Sequence, residues 1–319
     1  MGSSIYSSAD YGVLKATTVG VSTDKVFKHN ITKTISDEMS PVGLKFRESR
    51  DSEAHPNSFP VLVALDVTGS MWNTLEKLVR DYLSNLMVPL IDHGVKDAHV
   101  LFCAIGDHHT DDYPLQVGQF EAGAQELFKW LTSTYLEGGG GGHKMESYLL
   151  AWLLAARHTA LDSFEKRGEK GVLFTMGDEY CHPEISMDYD ASSRSKGLKE
   201  IMGYAEGVGI TDKAILEEAK RMYNVFHIHI QEGSYPDDNE VLDYWKDMVP
   251  ERLIVLDDMK TLAETIATTV AMVKGADMKT VLNSFSNEIA DGVSKALVNV
   301  NANVTTLSEE SNNLLNLEK

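Results

Sequence analysis

The chain is poor in cysteine, with two in 319 residues, Cys103 and Cys181, far apart in sequence. Two thiols build no disulfide framework, and their spacing makes no Cys-x-x-Cys metal site. Cys103 lies in an apolar run and reads as a buried thiol. No apolar run approaches the ~20 residues that span a bilayer. The start, Met-Gly-Ser-Ser-Ile-Tyr-Ser-Ser, lacks the basic-then-apolar pattern of a secretory signal. We therefore expect no membrane association and, by default, a cytoplasmic location. Basic side chains are also scarce, 29 against 48 acidic ones, for a formal net charge of −19. Duplex affinity rests largely on Lys and Arg neutralising phosphates, so this balance argues against nucleic acid. It favours cations and basic partner surfaces, or simply solubility.

The pattern changes sharply at residue 59. Residues 1–58 are polar, mixed and aperiodic, and form an N-terminal extension. Within it, 13–21 and 26–35 fit short strands or ordered arms, and 51–58, rich in Pro and small polar residues, reads as a linker. Phe59–Asp66 is a continuous apolar run ending in a carboxylate, as expected of a strand buried on both faces of a parallel sheet. Leu75, Leu78, Val79, Tyr82, Leu83 and Leu86 then recur at helical spacing. Further buried strands are predicted at 99–105, ending in Gly106-Asp107, and at 171–176, ending in Gly177-Asp178-Glu179. Residues 113–120 alternate as an edge strand, and helices are predicted at 124–136 and 146–161, either side of five glycines at 138–142. Tyr148 and Trp152, at helical spacing, read as core. Beyond them come a helix at 211–223 with Thr211 as N-cap, a strand at 225–230, a helix at 241–248, a strand at 252–255 and a closing helix at Leu262–Val273. Such alternation implies an α/β fold: a doubly wound, mostly parallel sheet with helices on both faces, over residues 59–275.

The tail, 276–319, differs. Val281, Phe285, Ile289, Val293, Leu297, Val300, Val304 and Leu307 recur every three or four residues among polar neighbours. That is one narrow amphipathic stripe, suited to a long C-terminal helix that pairs with another helix. Two outcomes fit it: self-association or partner binding through 279–307, or a helix folded back on its own domain.

In open α/β sheets ligands gather at the C-terminal ends of the strands. Three predicted strands deliver Asp66, Asp107 and Asp178 to that edge. Asp66-Val67-Thr68-Gly69-Ser70 adds hydroxyls at i+2 and i+4, so three oxygen side chains can turn toward one point. Oxygen-only ligands suit a hard cation, Mg²⁺ with retained waters, or Mn²⁺ or Ca²⁺ in its place. The competing reading is that Thr68 and Ser70 only cap the next helix. Successive glycines permit the close backbone approach that a loop around a metal needs. His108-His109 with Asp111-Asp112, and Cys181-His182 with Glu184, lack paired spacing on predicted elements and read as solvated loop residues.

Asp66-x-Thr68-Gly69-Ser70-Met71 resembles the first motif of the metal-ion-dependent adhesion site (MIDAS) of von Willebrand factor A (vWA) domains, in the Asp-x-Thr-Gly-Ser-Met variant of prokaryotic or phage type. Other landmarks follow in that variant's order: Gly106-Asp107 after the second strand, the glycine run with Glu146-Ser147, and Gly177-Asp178-Glu179 at the last ligand Asp. The resemblance spans roughly 59–274. It implies a metal held by Asp66, Thr68, Ser70, Glu146 and Asp178, with Asp107, Ser147 and Glu179 behind them. Two departures stand out. Glu146 occupies the place of a threonine ligand, and Gly177-Asp178-Glu179 replaces Thr-Asp-Gly.

The function implied is metal-dependent protein binding, with a partner's Asp or Glu completing the ion's shell. The chain would act as an adaptor or chaperone-like assembly factor, as prokaryotic vWA proteins do beside MoxR-type AAA+ ATPases. No catalysis is expected. The rival is a haloacid dehalogenase-like, metal-dependent phosphatase with Asp66 as nucleophile, but that motif requires a second Asp where this chain has Thr68. A third reading makes the chain a structural component of a larger assembly.

Overall fold

A computed structural model describes residues 4–69, 71, 76–137, 144–232 and 238–302. Its centre is a six-stranded sheet built from β1 (Phe59–Asp66), β2 (Ala98–Ile105), β3 (Leu115–Val117), β4 (Gly171–Gly177), β5 (Tyr223–Ile230) and β6 (Leu253–Leu256), in the order β6-β5-β4-β1-β2-β3. All pairs are parallel except β2 with the edge strand β3. The unbroken apolar runs have the reason expected of them: both faces are covered. Along β1, Phe59, Val61, Val63 and Leu65 enter one apolar cluster, while Leu62 and Ala64 enter the other. Successive side chains of a strand point to opposite faces, so each run feeds two cores at once.

Helices α2 (Leu83–Asp92) and α7 (Leu262–Val273) cover the first face through Leu83, Leu86, Leu90, Leu262, Ile266 and Val270. On the second face lie α4 (Leu149–Arg157), α5 (Asp212–Ala219) and α6 (Asn239–Met248), whose Trp152, Ile215, Leu216 and Trp245 are buried. The doubly wound α/β reading therefore holds. From β1 the chain first steps outward to β2 and β3, then crosses back to lay β4 on β1's other side. The topological switch point thus falls between β1 and β4.

Several expectations need correction. The helix predicted at 146–161 is shorter: Met145–Glu146 is a two-residue strand paired with Tyr180–Cys181, and Thr159–Leu161 is a strand paired with Arg47–Ser49. Strand formation at both ends follows from available partners, which periodicity does not register. The helix predicted at 124–136 ends at Thr132. Thr211 holds the N-cap position of α5, yet its side chain makes no capping bond. In the N-terminal extension, residues 13–21 are not a strand: Ser8–Ala16 is a helix, α1, whose Tyr11 hydroxyl donates to the Val79 carbonyl at 3.0 Å.

The tail is not one long helix. Met278–Leu282 (α8) and Asn287–Ala296 (α9) are separated by a turn, and Ser286 Oγ caps α9 by accepting from the Ile289 amide. Val281, Val293 and Leu297 are buried, the last two within the first core cluster, so the stripe folds back onto α7 and the sheet. Val304 and Leu307 lie outside the described residues. Cys103 and Cys181 are both buried free thiols, and among the described residues no helix is long and apolar enough to cross a membrane.

Candidate metal centre

Asp66 ends β1, and Asp178 follows β4 directly. These strands are neighbours in register, with Leu65 opposite Met176, so both carboxylates emerge at the switch point. Each residue is only 1% exposed. Asp66 Oδ1 accepts from the Thr68 amide at 2.8 Å and from Thr68 Oγ1 at 2.7 Å. The Thr68 hydroxyl thus serves the carboxylate rather than a helix terminus. Ser70 and the glycine run at 138–142 lie outside the described residues.

Glu146 reaches the same edge by two tethers. Its strand pairs with Tyr180–Cys181, and the Ser147 amide donates to the Gly106 carbonyl at 3.2 Å. The loops after β1, β2 and β4 are thereby drawn around one point. The measure of that convergence is Tyr148, fully buried at the start of α4. Burial, and then Asp66, Asp178, Glu146 and Glu179 in turn, push its phenol well above the ordinary range. It remains a donor, directed at Asp66 Oδ2 at 3.3 Å.

Four acids around one point are costly without a cation. Burial, opposed in part by the Thr68 bonds and aided by Asp178, pushes Asp66 up to about 7. Burial and then Asp66, Asp178 and Asp107 push Glu179 up to about 8. Glu146 is raised well above the carboxylate range, first by burial and then by Asp66, Asp107 and Glu179. Glu146 Oε2 and Glu179 Oε2 are buried, and no hydrogen-bond donor among the described residues reaches either. Lys144 opposes the charge at Glu179, but its ammonium pairs with Asp238 at 2.6 Å. Buried acceptors without donors are what a cation or its bound waters would satisfy. The carboxylates stand too far apart for three to meet one bare ion, since among the described residues only a histidine group brings three ligand atoms within 4.8 Å. A hydrated ion fits better, and Mg²⁺ characteristically keeps several waters and takes one or two carboxylates.

Asp107 stands apart from this set. Burial would raise its pKa, but bonds from His182 Nε2 at 2.7 Å, the His109 amide at 3.0 Å and Thr110 Oγ1 at 2.9 Å hold it down to about 2. Its oxygens serve the loop after β2. Ser147 likewise turns away, with Oγ accepting from the His108 amide at 2.9 Å.

Sequence reasoning assigned Tyr148 to the core and missed its second task as a donor to Asp66. Asp111, read in sequence as a solvated loop residue, is buried instead; it accepts from the Asp107 amide at 2.7 Å and adds its charge at Glu146. Gly177, read in sequence only as the residue before Asp178, also has a packing role. A Cβ there would overlap the Tyr148 hydroxyl and lie 2.9 Å from Asp66 Oδ2. Gly177→Ala is therefore expected to displace the phenol, cost about 1–3 kcal/mol in urea unfolding, and perturb any cation bound beside Asp66. An unchanged unfolding midpoint would show that the strand end can shift freely.

No protein-family profile matches the chain, and no curated protein matches its sequence. Solved structures with similar coordinates include the pilus adhesin SpaC of Lactobacillus rhamnosus GG, at 11% identity and TM-score 0.42, covering 70% of this chain and 31% of that one. A von Willebrand factor type A protein from Catenulispora acidiphila shows 13% identity and TM-score 0.37, over 67% of this chain and 42% of that one. Proximal thread matrix protein 1 from mussel byssus, solved with a zinc-occupied MIDAS motif, shows 9% identity and TM-score 0.39, over 66% and 46%. The chain spans less than half the length of each of these, and likeness at this level assigns no family.

Proposed function

We propose that this chain is a divalent-cation-dependent protein-binding domain. The observation that carries the reading is the pair of buried carboxylates Asp66 and Asp178 at adjacent strand ends, together with Glu146 and Glu179, whose buried Oε2 atoms have no donor among the described residues. In this reading Asp66, Thr68 and Asp178, with Ser70, hold a hard cation, Mg²⁺ before Mn²⁺ or Ca²⁺, directly or through water. Glu146 contributes from the side where the resembled family has threonine. A partner's Asp or Glu then takes an open position on the ion. The resemblance of the Asp66 loop supports the adhesion-type role, and a MoxR-type AAA+ ATPase is the partner class it implies. The net charge of −19 adds that an acidic partner needs the cation as a bridge.

The test is calorimetric titration of the EDTA-treated full chain with Mg²⁺, Mn²⁺ and Ca²⁺, followed by Glu146→Gln. Saturable binding is expected, weakened about tenfold by the neutral side chain, with unfolding otherwise unchanged. Bound proteins recovered with Mg²⁺ and lost with EDTA would identify the partner. No turnover of a phosphate ester is expected, because Thr68 stands where the phosphatase motif has its second acid. Mg²⁺-dependent hydrolysis abolished by Asp66→Asn would overturn the binding reading.

A further inference from the structure

A second group of ligand-type side chains lies outside the acid ring. His108 and His109, in the loop after β2, meet His182, which follows the Tyr180–Cys181 strand. The three rings contact one another with centroids 4.3, 4.5 and 4.4 Å apart. One ligand atom from each lies within 4.8 Å of the others. These are not the solvated loop residues that their sequence positions imply: His108 is 3% and His182 4% exposed, while His109 is partly open to solvent.

Each buried ring is also fixed through one nitrogen. His182 Nε2 bonds Asp107 Oδ1 at 2.7 Å, and His108 Nδ1 bonds Ser147 Oγ at 2.9 Å. Metal-ligating histidines are commonly held this way, by a carboxylate or hydroxyl on the nitrogen that does not ligate. The chemistry of the set differs from that of the acid ring: three imidazoles and no directly facing thiolate suit a borderline ion such as Zn²⁺. Tetrahedral Zn²⁺ at ~2.1 Å from each nitrogen needs them about 3.4 Å apart, so binding requires the rings to draw together and His109, now stacked on His182 at an interplanar angle of 17°, to turn its nitrogen toward the shared point.

We propose that His108, His109 and His182 form a second metal site, for Zn²⁺ or a similar transition ion, with Asp107 and Ser147 as positioning residues. Three protein ligands leave a fourth position for water or for a donor from a bound molecule. Asp107 and Ser147, which the sequence places behind the Asp66 site, belong to this centre.

The EDTA-treated full chain, with excess Mg²⁺ present to fill the oxygen site, is titrated with Co²⁺ as a visible probe and then with Zn²⁺. The expected result is the intense absorption of a four-coordinate Co²⁺ site, displaced stoichiometrically by Zn²⁺. His109→Gln, at the least buried of the three positions and so the least disturbing to folding, is expected to weaken Zn²⁺ at least tenfold. Asp107→Asn should cost about 10–100-fold, whereas Asp66→Asn should leave Zn²⁺ affinity within twofold. The proposal fails if no Zn²⁺ binds, if His109→Gln leaves affinity unchanged, or if Asp66→Asn rather than the histidine variants removes the ion. Loss of the Mg²⁺ response with Zn²⁺ binding intact would overturn the adhesion-type reading and leave this one standing.

Discussion

In EDTA at pH 8, Asp178→Asn and Asp66→Asn are expected to unfold at higher urea than the parent, and with saturating Mg²⁺ the order should reverse. Both carboxylates are 1% exposed at the ends of adjacent strands. Asp66 already carries the penalty of burial beside Asp178. Removing one buried charge should relieve a penalty, first of desolvation and then of like-charge repulsion, on the order of 2–4 kcal/mol. The amide keeps an oxygen that can still accept from the Thr68 amide, so the turn after β1 is not lost. Mg²⁺ at about 100 times its Kd should stabilise the parent by ~2.7 kcal/mol and the variants by much less. The crossing of the two curves is the diagnostic. A carboxylate kept only as structural decoration would give destabilised variants in both conditions, and that result would remove the acid ring as a cation site.

The sheet was legible because strands buried on both faces have no polar alternation to blur them. Phe59–Asp66 and 171–176 could be placed from apolar length alone, and the acids that follow them mark the strand ends. The same logic brought Asp66 and Asp178 to one edge. Glu146 was placed near the edge but on the wrong element, since a two-residue strand such as Met145–Glu146 exists only through its pairing with Tyr180–Cys181. No local periodicity encodes that. The histidines were misread for a related reason: His108 and His182 are separated by more than seventy positions, and tethers such as those from Gly106 to Ser147, from Glu146 to His182 and from His182 to Asp107 bring their loops together. Tyr148 shows the remaining limit. An aromatic at helical spacing is core by pattern, and it is core here, but its hydroxyl direction depends on which strand end lies above it.

The largest loss of stability is expected from deleting everything after Gly275. As a narrow stripe beyond the last strand, the tail fits in sequence either a docking element, whose truncation would spare the fold, or a helix folded back on its own domain. The described residues to 302 take the second course. Val281, Val293 and Leu297 are at most 2% exposed, and α8 and α9 pack on α7, whose other side faces the sheet. Burying a Val or Leu side chain contributes about 1.5–3 kcal/mol, so three of them amount to roughly 5–9 kcal/mol. That is comparable with the whole stability of a typical domain, about 5–15 kcal/mol. The truncated chain should therefore lose cooperative unfolding or aggregate through the uncovered face of α7. A graded arm guards against trivial misfolding: a Cβ at Gly292 would lie 2.7 Å from Thr261 Cγ2, so Gly292→Ala should push α9 off its seat. Its expected cost is about 1–3 kcal/mol, with the elution volume of the parent retained. If truncation instead leaves the urea midpoint unchanged while altering the mass seen by light scattering, α8 and α9 serve association and the packing seen here contributes little to the fold.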